Sequence, residues 1–210
     1  VPVDQSKFTS GENRKHPPIY QFFVKKNEEI GDDLDQMLLK ISRNPGELLA
    51  NPANLYSCSS EYVTYKLAGF SHELHAFSDL TSGCYASPYV NRHVRFTTTT
   101  LAEPSKAHPH KNLVHNGEVL SRQAMINWII QHRALLRGKI SINEDRITYL
   151  NKDSDSCVFD FFIECVEAVY TIDTVKAISL MVPEFKSHPT VAKVASQSRI
   201  PKIEGPCNFA

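Results

Sequence analysis

Apolar residues recur at helical spacing in several stretches of this chain. Ile30, Leu34, Met37, Leu38 and Ile41 share one face of a helix predicted over Asn27 to Ser42, which ANPANL then ends. Arg122 to Leu136 predicts a second helix, with Trp128, Ile129 and Leu135 on its apolar side. Two more are expected at about Ser156 to Val169 and Thr171 to Val182, the latter stopping before Pro183. Other stretches read as strands, and within Tyr62 to Leu67 the run VTYKL alternates with period two. IYQFFVKK (Ile19 to Lys26), Tyr56 to Ser59, Tyr62 to Leu67 and the threonine-rich run Val90 to Thr100 read as strands. Asn112 to Asn116 reads as a short strand and Arg146 to Leu150 as a short extended piece, while His72 to Leu80 fits neither period cleanly. Residues 1–18 are polar, end in Lys-His-Pro-Pro, and predict a flexible arm before a domain over 19–210.

This mixture predicts an α+β fold, and 210 residues suffice for one domain with a real core. Lysine plus arginine equals aspartate plus glutamate at 23 each. A net charge of zero supplies no field to attract nucleic acid or an anionic membrane. No apolar run reaches the ~20 residues of a membrane span, and the opening VPVDQSKF has no secretory-signal pattern. The five cysteines show neither CxxC nor zinc-type spacing. They predict reduced core thiols, hence a cytoplasmic protein or one of an organelle stroma or matrix.

The chemistry concentrates in AHPHKNLVHNGEV (Ala107 to Val119), with VRFTTTT (Val94 to Thr100) just upstream. The side-chain amide of Asn116 and the backbone N–H of Gly117 are the two donor types that an oxyanion hole requires. Glycine also lets substrate approach the backbone closely. Arg95 offers a planar fork able to grip a carboxylate. Each element has a plain alternative: Asn-Gly as a turn, and Arg95 as a surface ion pair of little energetic worth. Asp155, within Ser154-Asp155-Ser156, is either a helix cap, a role that Ser154 also suits, or an acceptor for an ammonium group. Thr98 is either a solvent-facing strand residue or a further substrate contact.

The histidines do not favour a metal. His108 and His110 form H-x-H, but Pro109 interrupts regular strand pairing and no carboxylate follows at a familiar ligand spacing. His72 and His75 form H-E-x-H, one residue short of the zinc helix motif. The Pro-Pro-x-Tyr of HPPIY matches a WW-domain ligand only as short motifs do by chance.

Together, RFTTTT, AHPHKNLVHNGE, SDSCVFD (Ser154 to Asp160) and AISLMVPEF (Ala177 to Phe185) resemble the class II glutamine amidotransferase domain of glutamate synthase. LYSCSSEYVTYKLAG (Leu55 to Gly69) resembles the paired strands before its arginine strand, and IEGPCNFA (Ile203 to Ala210) resembles the Glu-Pro-Trp-Asp-Gly-Pro segment after its helices. The motifs cover Leu55 to Ala210 well and the first fifty residues poorly. The resemblance implies an N-terminal nucleophile hydrolase fold, an αββα sandwich of antiparallel sheets, incomplete in this chain. It implies an oxyanion hole at Asn116 and Gly117, with the α-carboxylate of glutamine on Arg95, its α-ammonium group on Asp155, and Thr98 beside the same end.

In this family the nucleophile is an N-terminal cysteine activated by its own α-amine. This sequence opens on Val1, and Cys58 and Cys84 are internal. It therefore reads as the later part of the domain, partnered by an upstream chain or segment that carries the cysteine and by a synthase domain. Leu120 and Thr99 stand where the family usually has asparagine, which bears on the tuning of the site. The implied reaction converts glutamine to glutamate and ammonia, for transfer to 2-oxoglutarate in nitrogen assimilation. FMN and an iron–sulfur cluster would belong to other domains, with no cofactor or metal in this chain. The alternatives are a non-catalytic glutamine-binding or regulatory module, or a structural subunit, either lacking the nucleophile.

Overall fold

The computed structural model describes Tyr20, Phe22, Leu34, Leu38 and, in order, 56–59, 62–67, 69–81, 83, 86–88, 90–94, 106–111, 113–140, 142, 144–182, 199–205 and 207–209. The chain divides into two compact units, Val1–Ala107 and His108–Ala210.

In the first unit the ambiguous His72–Leu80 stretch resolves into a 3-10 turn, Ser71–Ala76, followed by the single-turn helix α1, Ser78–Thr81. The buried Glu73 organises the turn by accepting the Phe70 backbone N–H at 2.7 Å. Tyr65 packs edge-on against Phe77, ring centroids 5.0 Å apart, and donates its hydroxyl to Asp79. The strands expected at 56–59 and 62–67 form no ladder among the described residues. The period-two pattern also fails in burial, since Lys66 is buried while Val63 is exposed. Residues 90–94 likewise are neither helix nor strand. The expected arm at 1–18 lies outside the described residues, as does most of the strand at Ile19 to Lys26. Of the first predicted helix only Leu34 and Leu38 are described, and both are helical.

The second unit runs β1 (His115–Gly117), α2 (Arg122–Leu136), α3 (Glu144–Lys152), α4 (Asp155–Tyr170), α5 (Thr174–Met181) and β2 (Cys207–Phe209). Helix α4 is its axis. Val158, Phe159, Phe162, Ile163, Cys165 and Val166 are all fully buried, so this helix is apolar nearly all round, as a central helix must be. Helices α2 and α5 pack on it, and Trp128 of α2 meets Phe162 edge to face at 5.2 Å. Each large side chain taken fully out of water contributes roughly 1.5–3 kcal/mol.

Ser154 starts α4 by accepting the Cys157 N–H at 3.3 Å. Ser154→Ala is expected to cost about 1 kcal/mol of stability, measurable by denaturant unfolding. At the other end Thr171 takes a left-handed conformation (φ 54°), and Lys139 donates to the Ala168 carbonyl at 2.8 Å. Asp173 caps α5 through the Lys176 N–H at 2.8 Å. Hydrogen bonds from Lys176, side chain first, hold the Asp173 carboxyl below the usual range. That contribution is complete at neutral pH and fades as acid reaches the lowered folded-state value.

The extended piece expected at Arg146 to Leu150 is instead helix α3. Its last carbonyls are collected from across the unit: Arg122 donates to Leu150 and Asn151 at 2.7 Å and to Asp153 at 3.2 Å. The Arg146 guanidinium lies 4.4 Å from the Phe161 ring centroid. Helix α2 matches its predicted limits, but its core contact is Leu136, while Leu135 is exposed.

Strands β1 and β2 pair antiparallel, with His115 opposite Phe209, Asn116 opposite Asn208 and Gly117 opposite Cys207. The segment before β2 is fastened at several points. Ile203 N–H donates to Met181 O at 3.1 Å, Lys202 donates to Leu180 O, and Glu204 O accepts the Leu120 N–H at 2.8 Å. Gly205 (φ 118°) lies so near β1 that a Cβ there would fall 2.1 Å from Glu118 O, so only glycine fits.

Candidate functional site

The Asn-Gly segment is built from its flanks inward. Before it, His110 N–H donates to Leu113 O at 2.9 Å, closing a turn, and Leu113 enters the core. Beyond it Val119 is buried as well. Between these anchors Asn116, Gly117 and Glu118 are exposed, so the amide and the glycine face outward from a fixed base. Gly117 has φ 139°, a backbone conformation that side-chain-bearing residues rarely adopt.

Asp155 reaches this segment from the first turn of α4. Its Oδ2 accepts the Val119 N–H at 2.9 Å, two residues beyond Gly117. Ser154 is the helix cap, so Asp155 is left for another task. A carboxylate in a first turn is also favoured by the helix dipole. The structure thus joins Asp155 to the Asn116–Gly117 strand. Arg95, Thr98 and Thr99 lie outside the described residues.

Other side chains gather here that the motifs alone do not single out. His115 is buried, and its Nδ1 lies 3.2 Å from Ser156 Oγ. Ser156 donates to Asp155 Oδ1 at 3.4 Å. The His115 N–H donates to His108 Nδ1 at 3.4 Å, and the His108 and His110 rings meet edge to face at 4.4 Å. The visible signal for them is position: His115 directly precedes the Asn-Gly, and Ser156 closes the Ser-Asp-Ser. Cys157 Sγ is almost equidistant from the two His110 ring nitrogens, at 3.9 and 4.0 Å. The thiol favours neither nitrogen, unlike an activated thiol–imidazole pair. Among the described residues no group of three or more His, Cys, Asp or Glu is arranged to hold a metal ion. Nor does any described helix have the length and apolarity to cross a membrane.

Comparison with known proteins then decides the family. The sequence signature of class II glutamine amidotransferases matches residues 1–198. The chain belongs to that family. The match includes the first fifty residues, which the short motifs cover poorly. Relatives of this amidotransferase chain include the glutamate synthase [NADPH] large chain of Bacillus subtilis, 29% identical over 78% of the chain. The ferredoxin-dependent glutamate synthase 1, chloroplastic/mitochondrial, of Arabidopsis thaliana is 30% identical over 91% of it. The chloroplastic ferredoxin-dependent enzyme of Oryza sativa is 32% identical over 84%. The chain spans 12% of the length of each of these relatives. No solved structure matches it. Family membership implies the N-terminal nucleophile hydrolase fold, and the described residues contribute helices and one antiparallel strand pair to it.

Proposed function

We propose that this chain is the glutaminase part of a glutamate synthase-type enzyme, hydrolysing glutamine to glutamate and ammonia. The observation that carries the reading is the bond from Val119 N–H to Asp155 Oδ2, which sets a carboxylate beside the Asn-Gly donors. In the proposed reaction a thiolate attacks the glutamine amide carbon. Its activating α-amine and the cysteine itself come from an upstream segment. The tetrahedral oxyanion is held by the Asn116 amide and the Gly117 N–H. Ammonia leaves, and water hydrolyses the thioester to glutamate. Asp155 holds the α-ammonium group of glutamine, while Arg95 and Thr98 take its α-carboxylate end. The remainder of the domain completes the antiparallel αββα sandwich.

The ammonia is passed to 2-oxoglutarate on a separate synthase domain, where FMN and an iron–sulfur cluster supply the redox chemistry. No step on this chain runs through either group. A soluble cytoplasmic or stromal location completes the reading, in line with the chloroplastic names of the plant relatives.

The test is ammonia release from glutamine by the natural full-length polypeptide and by its Asp155→Asn variant. Asparagine still accepts the Val119 N–H but lacks the negative charge. The variant is expected to raise the glutamine KM by roughly tenfold to a hundredfold, the worth of one charge-assisted hydrogen bond. An unchanged KM would remove Asp155 from the substrate site, and wild-type protein that neither binds nor hydrolyses glutamine would end the proposal.

A further inference from the structure

We infer that Ser156 is a positioning residue that ties the Asn-Gly strand to the Asp155 carboxylate, so that both sides of the site are set by one hydroxyl. The inference rests on the glutaminase reading above for its catalytic consequence, but its geometry is independent of that reading. Ser156 is buried, and its Oγ touches both halves of the site: His115 Nδ1 on β1 at 3.2 Å, and Asp155 Oδ1 on α4 at 3.4 Å. The directions of the bonds follow from the groups involved. The Asp155 carboxylate only accepts, so the Ser156 proton goes to it. The Ser156 oxygen then accepts from His115, which must carry its proton on Nδ1. On the other side the His115 backbone N–H donates to His108 Nδ1, which fixes the His108 proton on Nε2. The second Asp155 oxygen closes the circuit by accepting the Val119 N–H. The residues of this circuit bracket Asn116 and Gly117 on both sides, His115 directly before them and Val119 beyond.

The two contacts of Ser156 are long. Hydrogen bonds that support catalysis are often long before substrate binds and tighten in the complex. When a glutamine ammonium group draws on Asp155, Ser156 keeps the carboxylate in place and transmits that position to β1 through His115. Ser156 touches no substrate atom in this scheme, and its effect passes entirely through Asp155 and His115.

The decisive comparison is Ser156→Ala against Ser156→Thr in the full-length polypeptide, with two readouts. Amide hydrogen exchange at Val119 reports the circuit directly. It is expected to quicken roughly tenfold in the alanine variant and to return toward wild type with threonine, which keeps the hydroxyl. Steady-state ammonia release is expected to show roughly a tenfold fall in kcat/KM for alanine, with threonine restoring most of it. In an Asp155→Asn background the alanine change is expected to add little, because the two residues act as a unit. Unchanged Val119 exchange, or equal activity of the alanine and threonine variants at a lowered melting temperature, overturns the inference and leaves Ser156 with packing alone. If wild-type protein shows no glutamine chemistry, the glutaminase reading falls, and Val119 exchange still decides the circuit.

Discussion

Replacing Asn116 by alanine is expected to slow glutamine hydrolysis by about 100-fold or more while the glutamine KM stays nearly constant. The reason lies in when the charge exists. The carbonyl oxygen of bound glutamine is neutral, and full negative charge develops only as the thiolate adds. A donor aimed at that oxygen therefore strengthens in the transition state and acts on kcat. The remaining activity reflects the Gly117 N–H, which the substitution leaves in place. The fold is expected to tolerate the change, because the Asn116 side chain is exposed while Leu113, His115 and Val119 are buried beside it. The check is steady-state ammonia release set beside a melting curve. A normal kcat in a folded variant would take Asn116 out of the oxyanion hole.

The second large effect is on stability. Lys111 Nζ sits 2.5 Å from Glu164 Oε1, and the Glu164 side chain is only 7% exposed in the middle of the central helix. Such a carboxylate has lost most of its water, so withdrawing its cation is far costlier than breaking a surface ion pair. Lys111→Ala is expected to cost about 3–5 kcal/mol. That corresponds to a fall in Tm on the order of 10 °C for a chain of this size. The double variant Lys111→Met with Glu164→Leu, which removes both charges and fills the space, is expected to recover most of the loss. Lys111 also sits in the segment entering β1, so the single variant should reduce activity more than its melting temperature alone implies. A single variant as stable as wild type would show that Glu164 is adequately solvated without Lys111.

Helix α2 was legible to the residue because both its limits and most of its apolar face are local properties. Within it, the adjacent pair Leu135 and Leu136 was not, since periodicity cannot choose between neighbours at the end of a stripe. Helix α3 was missed for a different reason. Its closing carbonyls are met by Arg122, far away in sequence, and no local window contains that partner. The alternation in Tyr62 to Leu67 suggested a strand, but a strand exists only when another segment pairs with it. At the candidate site, residue type and order singled out Asn116 and Gly117, whereas Asp155 stood beside a plain helix-cap reading until the family resemblance was added. Ser156, His115 and the close approach of Gly205 to β1 depend on three-dimensional adjacency, which order along the chain does not encode.

That adjacency bears on how the protein is made. The partner of β1 emerges from the ribosome on the order of ninety residues after it, and pairings so distant in sequence form slowly. At 5–20 residues per second, β1 waits for several seconds or more while α2, α4 and α5 are already available to collapse. The strand bearing Asn116 and Gly117 therefore acquires its edge partner after the helices between them have been made. During synthesis the helices of the second unit can gather beside a β1 still waiting for its partner, and under the proposed function the Asn116–Gly117 site would be complete only once the segment leading to β2 is fastened.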